Sequence, residues 1–93
     1  MLTEKEQRHV IFEGQVQGVG FRYTVCRLAG RYDVTGCVRN MPDGAVECVI
    51  EGAADQIDLF IEDIRVHFES YIREVRQAKS PVTGQYRNFG VRY

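Results

Sequence analysis

Apolar and polar positions in the first third of the chain follow a strand period and then a helix period. Residues 8–14 alternate, with two apolar side chains on one face, which predicts a strand. The glycine-rich segment 15–20 predicts a loop. From Phe21 onward the apolar residues recur at helical spacing, and Gly30 is a stop signal near the end of this helix. Its buried stripe is predicted to consist of Phe21, Val25, Leu28, Ala29 and Tyr32.

A β-hairpin is predicted next. Residues 34–39 are rich in β-branched side chains, and residues 45–51 alternate between apolar and polar positions. Between these segments, Pro42 followed by Asp43 and Gly44 is typical of a turn, because proline presets φ and glycine tolerates positive φ. The buried face of the second strand is predicted to consist of Val46, Cys48 and Ile50.

The second half of the chain repeats the helix-then-strand pattern. Residues 71–78 predict a fourth strand, although they alternate poorly, and residues 80–84 predict a loop. Residues 87–93 end with a clean period of two, which predicts a short closing strand. A second helix precedes these elements, and its apolar stripe consists of Ile57, Phe60, Ile61, Ile64 and Phe68.

This element order, β-α-β-β-α-β with an extra short strand, predicts a ferredoxin-like α+β sandwich. Each helix has one apolar stripe, so both must cover the same face of one antiparallel sheet. We expect residues 1–93 to form a single domain, with residues 1–7 frayed at its start. The fold by itself does not assign a function, because it hosts many.

Composition excludes several classes of protein. The chain is 44% hydrophobic, which is enough for one core, and its net charge of −1 argues against a bulk electrostatic grip on nucleic acid. No apolar run approaches the roughly 20 residues that span a bilayer, and the charged start lacks the apolar stretch of a secretory signal. We therefore expect a cytoplasmic protein with no membrane or nucleic-acid partner. So small a domain also has little room for a deep cofactor site.

Cys26, Cys37 and Cys48 are predicted to be free thiols. Their odd number argues against a closed disulfide framework, and their spacing matches no common zinc site. A catalytic thiol or a structural bridge is the alternative. His9 and His67 show no spacing with a carboxylate that suggests a catalytic dyad, so no functional role is assigned to them.

The informative segment joins the first strand to the first helix. Gly18 and Gly20 allow backbone conformations in which successive amides point inward and bind an anion. The following helix aims its N-terminal N–H groups at the same place, and Arg22 in its first turn can donate two hydrogen bonds to phosphate oxygens. On the residues alone, two interpretations stay open: an anion site, or a tight turn followed by an exposed arginine.

The loop and the hairpin together resemble the acylphosphatase family. Residues 14–22 (GQVQGVGFR), 35–40 (TGCVRN) and 43–47 (DGAVE) match its two signature blocks, and residues 89–93 match its C-terminus. The resemblance spans nearly the whole chain and implies a ferredoxin-like sandwich with a five-stranded sheet. It also implies hydrolysis of the carboxyl-phosphate bond of acyl phosphates, without a metal or other cofactor, by a protein we expect to be monomeric.

The resemblance also implies roles for particular residues. Arg22 matches the family's phosphate-binding arginine, and Asn40 matches its water-positioning asparagine. Two departures stand out: Cys37 replaces a frequent tryptophan, which puts the packing beneath the site in question, and Met41 replaces a frequent small polar residue. The phosphate-cradling loop corresponds to Gln17, Gly18, Val19, Gly20 and Phe21.

Few residues suffice for this reaction, because the leaving carboxylate has a conjugate acid of pKa about 4 and departs without protonation. No strong general base is visible, since Asp43 is expected to serve the turn. We expect a substrate phosphate oxygen to accept the proton of the water. The alternatives are a non-catalytic anion-binding module and an RNA-binding domain, the latter disfavoured by charge. A basic group at Arg65, Arg73, Arg76 and Lys79 is interpreted as a solvated face.

Overall fold

The structure is a computed structural model that describes residues 4–93. Five strands and two helices follow one another in the predicted order. They are β1 (Lys5–Gly14), α1 (Phe21–Ala29), β2 (Val34–Asn40), β3 (Val46–Ala53), α2 (Ala54–His67), β4 (Ile72–Pro81) and β5 (Phe89–Val91). Within the described residues, no helix is long and apolar enough to cross a membrane.

The five strands form one sheet in the order β4-β1-β3-β2-β5. β1 pairs antiparallel with β3 and β4, and β2 pairs antiparallel with β3, which confirms the predicted hairpin. β5 departs from the expected antiparallel arrangement, because it pairs parallel with β2 in the register Gly36↔Phe89, Cys37↔Gly90 and Val38↔Val91. The direction of an edge strand depends on the path of the preceding chain, which a local alternation pattern does not contain.

The core lies between the two helices and one face of the sheet. Both predicted stripes are buried, apart from Tyr32, which is half-buried. The Phe21 ring lies between the rings of Phe12 and Phe68. Its centroid is 5.2 Å from that of Phe12 and 4.6 Å from that of Phe68. Burying each such side chain contributes about 1.5–3 kcal/mol. This packing fixes the first residue of α1, which precedes Arg22.

β1 begins earlier and β4 ends later than the sequence pattern predicts. Residues 1–3 lie outside the described residues, and β1 begins at Lys5, within the segment 1–7 that we expected to be frayed. Lys5 pairs with Ala53, and Glu6 pairs with Pro81, so β4 also runs into the predicted 80–84 loop. These ladder pairs join distant segments, and periodicity within a short window cannot detect them.

Both histidines pair with carboxylates, contrary to the sequence expectation. His9 Nε2 lies 2.6 Å from Glu47 Oε2, and Arg39 Nε donates to Glu47 Oε1 over 2.6 Å. Burial raises the pKa of Glu47, but the hydrogen bonds from His9 and Arg39 outweigh it and lower that pKa. His67 Nδ1 lies 3.2 Å from an Asp63 oxygen, one helical turn back. The His9 pair joins two strands, which explains why spacing along the chain does not show it.

The basic group on the outer strand is interleaved with acids. Arg76 Nε lies 3.4 Å from Glu13 Oε2, and Lys79 Nζ lies 3.2 Å from Glu6 Oε1. Both basic side chains are mostly exposed. Although Glu6 is buried, water screens both pairs through their exposed basic partners. The arrangement agrees with a solvated face.

Candidate active site

The loop between β1 and α1 is shaped by two glycines. Gly18 and Gly20 have φ of 81° and 76°, in the left-handed region that disfavours other residues. A Cβ added to either glycine would meet no atom within 4 Å. Their positions are therefore required by backbone conformation, and the space beside them is open to a ligand.

The start of α1 offers hydrogen-bond donors that have no partner among residues 4–93. The first helical bond runs from the Thr24 N–H to the Gly20 carbonyl over 3.0 Å, so the N–H groups of the three residues between them have no acceptor within the helix. Gly20 provides no side-chain cap, and the first turn contains no acidic residue. The positive end of the helix dipole is therefore left for an anion.

Arg22 adds a full positive charge at this helix end. Its side chain is half-buried and forms no ion pair or hydrogen bond with other residues of the 4–93 range. The guanidinium carbon lies 5.4 Å from the centre of the Tyr93 ring, which is a cation–π distance. The planar donor fork of Arg22 remains available for phosphate oxygens.

Asn40 reaches the same place from the sheet. It is the last residue of β2, and within the described chain its side chain has no hydrogen-bond partner. The turn that follows is closed by the Met41 N–H, which donates to the Ala45 carbonyl over 2.8 Å. Asp43 Oδ1 accepts from the Ala45 N–H over 3.0 Å, so its carboxylate has the turn role that the sequence predicts.

Gln17 connects the glycine loop to this turn. Its side-chain Nε2 donates to the Met41 carbonyl over 2.8 Å and to the Ala45 carbonyl over 2.9 Å. Both amide hydrogens are therefore occupied, and the side chain of Gln17 is a brace between the segments that carry Arg22 and Asn40. The sequence prediction grouped Gln17 with the phosphate-binding residues without indicating this contact.

A pocket of about 300 Å³ brings the predicted groups together. Gly18, Gly20, Phe21, Arg22 and Asn40 line it, whereas Gln17 and Val19 do not, although Val19 lies between two lining glycines. Phe21 is buried, so it offers the pocket its backbone and not its ring. The residues not predicted for the site are Val16, Tyr23, Val91 and Tyr93.

Comparison with known proteins identifies the family. The acylphosphatase family model matches residues 8–91. The chain belongs to the acylphosphatase family. The chain is 42% identical to an acylphosphatase of Bordetella parapertussis over 85 residues, which cover 90% of each protein. This finding confirms the resemblance and the enzyme class predicted from the sequence.

Solved structures of the family have the same fold. A crystal structure of acylphosphatase from Bacillus subtilis superimposes with a TM-score of 0.85 and 29% identity, covering 95% of this chain and 99% of that one. The structure of an acylphosphatase from Coxiella burnetii superimposes with a TM-score of 0.81 and 32% identity, covering 96% of this chain and 94% of that one. These superpositions confirm the ferredoxin-like prediction.

The two departures from the family pattern have different surroundings. Cys37 is buried on the face of β2 opposite to Asn40, beside Tyr86, so it does not lie beneath the pocket. Met41 follows Asn40 and uses its backbone carbonyl to accept from Gln17. All three cysteines are free, as predicted. Burial raises the pKa of the Cys26 and Cys48 thiols, which disfavours reactive thiolates.

No metal site is evident in the part of the chain that the structure describes. Within residues 4–93, no three side chains of the His, Cys, Asp and Glu types are grouped to hold an ion. The positive groups of the pocket are Arg22 and the amides of the loop and helix. These groups can bind a phosphoryl oxygen directly.

Proposed function

We propose that the pocket lined by Gly18, Gly20, Arg22 and Asn40 carries out the hydrolysis of acyl phosphates that membership in the acylphosphatase family gives this chain. The phosphoryl group lies against the loop amides and the N-terminal amides of α1. Arg22 donates two hydrogen bonds to its oxygens and balances their charge. Asn40 accepts a hydrogen bond from the attacking water through its side-chain oxygen.

The reaction needs few protein groups because the substrate supplies the rest. The water oxygen forms a bond to phosphorus, while the bond between phosphorus and the acyl oxygen breaks and its electron pair leaves with the carboxylate. The proton lost by the water goes to a phosphate oxygen of the substrate. Since the carboxylate is stable at neutral pH, no side chain has to donate a proton to it. Positioning and electrostatic stabilisation are the tasks left to the protein.

One observation carries this proposal. The pocket concentrates polar groups that have no partner in the described chain, namely the amides at the start of α1, the Arg22 guanidinium and the Asn40 amide. Arg22 and Asn40 are only half-buried, so solvent reaches their free polar atoms and a ligand can replace that solvent. An anion and an ordered water would satisfy all of them.

Hydrolysis of benzoyl phosphate in EDTA, in water labelled with heavy oxygen, tests the proposal. We expect turnover with the label in inorganic phosphate and not in benzoate, because the water attacks phosphorus. Label in benzoate would contradict the proposed geometry. If no turnover occurred while phosphate still raised the melting temperature, the pocket would be an anion-binding module instead.

The substrate is a small molecule, whereas the other partners, the oligomeric state and the location of the chain stay predictions. The absence of a nucleic-acid partner, a monomeric state and a cytoplasmic location are all expected from the sequence. The single domain over residues 1–93 is likewise our proposal. Sedimentation of the purified chain tests the monomeric state directly.

A further inference from the structure

The mouth of the pocket carries a concentration of exposed apolar side chains. Eight large hydrophobic residues are exposed among residues 4–93, and four of them lie in or beside the pocket. Tyr23 is 74% exposed and Tyr93 is 98% exposed. The four are Val19, Tyr23, Val91 and Tyr93. Clustered exposed apolar groups mark contact sites, unlike apolar side chains that are scattered singly.

These side chains lie next to the anion-binding groups. Tyr23 follows Arg22 in the first turn of α1, and the Tyr93 ring stands over the Arg22 guanidinium at 5.4 Å. Val91 comes from β5 and lines the same pocket. A phosphate held by Arg22 and the glycine loop therefore has an apolar wall beside it. The site is complementary to a molecule with an anionic head and an apolar body.

We propose that Tyr23, Val91 and Tyr93 form the subsite for the acyl group and select acyl phosphates with an aromatic acyl group. This inference rests on the proposed function, because it places the phosphate against Arg22. The two tyrosine rings supply flat apolar surfaces on which an aryl ring stacks. A short acyl group, such as acetyl, has no ring to stack on them.

The charges of the pocket favour an uncharged acyl group. Among the described residues that line it, Arg22 is the charged one, and the phosphoryl group occupies its donors. A second carboxylate or an ammonium on the acyl group would find no partner and would lose hydration. The volume of about 300 Å³ lies at the lower end of the range for small-molecule pockets.

The test compares benzoyl phosphate with acetyl phosphate in variants of the subsite. We expect Tyr23→Ala to lower kcat/KM for benzoyl phosphate about five- to tenfold while that for acetyl phosphate changes less than about twofold. Tyr23→Phe should restore the wild-type ratio, because it keeps the ring. Tyr93→Ala should lower the ratio as well. Leu59→Ala, which removes an exposed apolar side chain from α2 away from the pocket, is the matched control.

A binding measurement separates this inference from the proposed function. Benzylphosphonate and methylphosphonate differ in the ring but share an anionic head that cannot be hydrolysed. We expect the wild-type chain to bind benzylphosphonate more tightly, and Tyr23→Ala to remove most of that difference. Equal affinities in the wild type, or an unchanged benzoyl-to-acetyl ratio in Tyr23→Ala, would overturn the subsite while leaving the hydrolysis of acyl phosphates intact. Failure of the wild type to hydrolyse either substrate would instead reject the proposed function.

Discussion

Polar groups on the two faces of the sheet differ in whether they have hydrogen-bond partners. On the face away from the helices, the Glu51 carboxylate is 3% exposed and accepts hydrogen bonds from the Gln7 side chain, from Thr83 and from the Gly84 N–H. In the pocket, Arg22 and Asn40 have no such partners within residues 4–93. A polar group that is already saturated holds the fold together, whereas one left free is available for a ligand.

This contrast predicts that substitutions in the two regions separate activity from stability. Changes at the pocket should reduce hydrolysis while the free energy of unfolding stays near its original value. Changes around Glu51 should lower the free energy of unfolding while hydrolysis stays near its original rate.

Replacing Arg22 should have the largest effect. Among the described residues that line the pocket, Arg22 carries the only full positive charge, so we expect Arg22→Ala to lower kcat/KM for benzoyl phosphate by at least about 10³-fold. Arg22→Lys keeps the charge but loses the donor fork, so it should recover only part of the activity. The matched control is Arg27→Ala, which removes an exposed arginine from the last turn of the same helix. Near-normal activity in Arg22→Ala would contradict the phosphate-binding role.

Asn40 should matter for the rate more than for binding. We expect Asn40→Ala to lower kcat about 10²-fold with little change in KM, because a misplaced water attacks poorly while the phosphate is still held. The control is Asp43→Asn, which preserves the oxygen that caps the turn and removes the nearby carboxylate. Wild-type kcat in Asn40→Ala would exclude the water-positioning role, and a large loss in Asp43→Asn would indicate that Asp43 is a base.

Gln17 lies between the saturated and the free polar groups, since both of its side-chain N–H groups are paired and it joins the two functional segments. Gln17→Ala should lower kcat/KM about tenfold, because the loop and the turn lose their common brace. It should also lower the free energy of unfolding by about 1 kcal/mol. Gln15→Ala, an exposed position in the same loop, is the control for both measurements. An effect on stability alone would show that the brace does not position the site.

The sequence predicted the parts of the molecule that depend on local spacing. The stripe of α1 and the alternation around Cys48 were sufficient to predict the two-layer fold. Gly18 and Arg22 were identified because a glycine-rich turn before a helix is itself a local pattern. That local pattern left an anion site and a tight turn open, and the roles of Arg22 and Asn40 are what the resemblance to the acylphosphatase family implies.

The features that the sequence missed depend on contacts between distant segments. Val91 and Tyr93 reach the pocket because β5 pairs parallel with β2, and no local pattern contains that pairing. The Gln17 brace joins residues 24 and 28 positions apart in the chain. Tyr23 could have been found, since it follows Arg22 in the same helical turn. Aromatic residues next to a predicted anion site are therefore worth treating as candidates for substrate contact.

Glu51 should show the smallest effect on activity and a clear effect on stability. Glu51→Gln leaves donors of Gln7, Thr83 and Gly84 with weaker acceptors, and we expect a loss of about 1–3 kcal/mol in the free energy of unfolding. Burial raises the pKa of Glu51, but its hydrogen bonds outweigh that and lower it below its ordinary value of 4.5. A lowered folded-state pKa contributes stability above the unfolded value, and that contribution is lost as pH falls through the folded one. Urea titrations should therefore show the wild type more stable than Glu51→Gln at pH 7, with the difference shrinking below about pH 4.5.

The matched control is Glu62→Gln, which changes an exposed acid on α2 that lies 3.7 Å from Arg65. It should alter stability by less than about 0.5 kcal/mol at any pH, because exposed pairs of this kind contribute little. A measurement of activity in Glu51→Gln also tests the contrast between the two faces of the sheet. If Glu51→Gln kept its fold at pH 7 but lost more than about tenfold in kcat, the segment that Glu51 holds would be setting the position of Val91 and Tyr93 in the pocket. The separation between structural and functional polar groups would then fail along the segment that leads from Thr83 to β5.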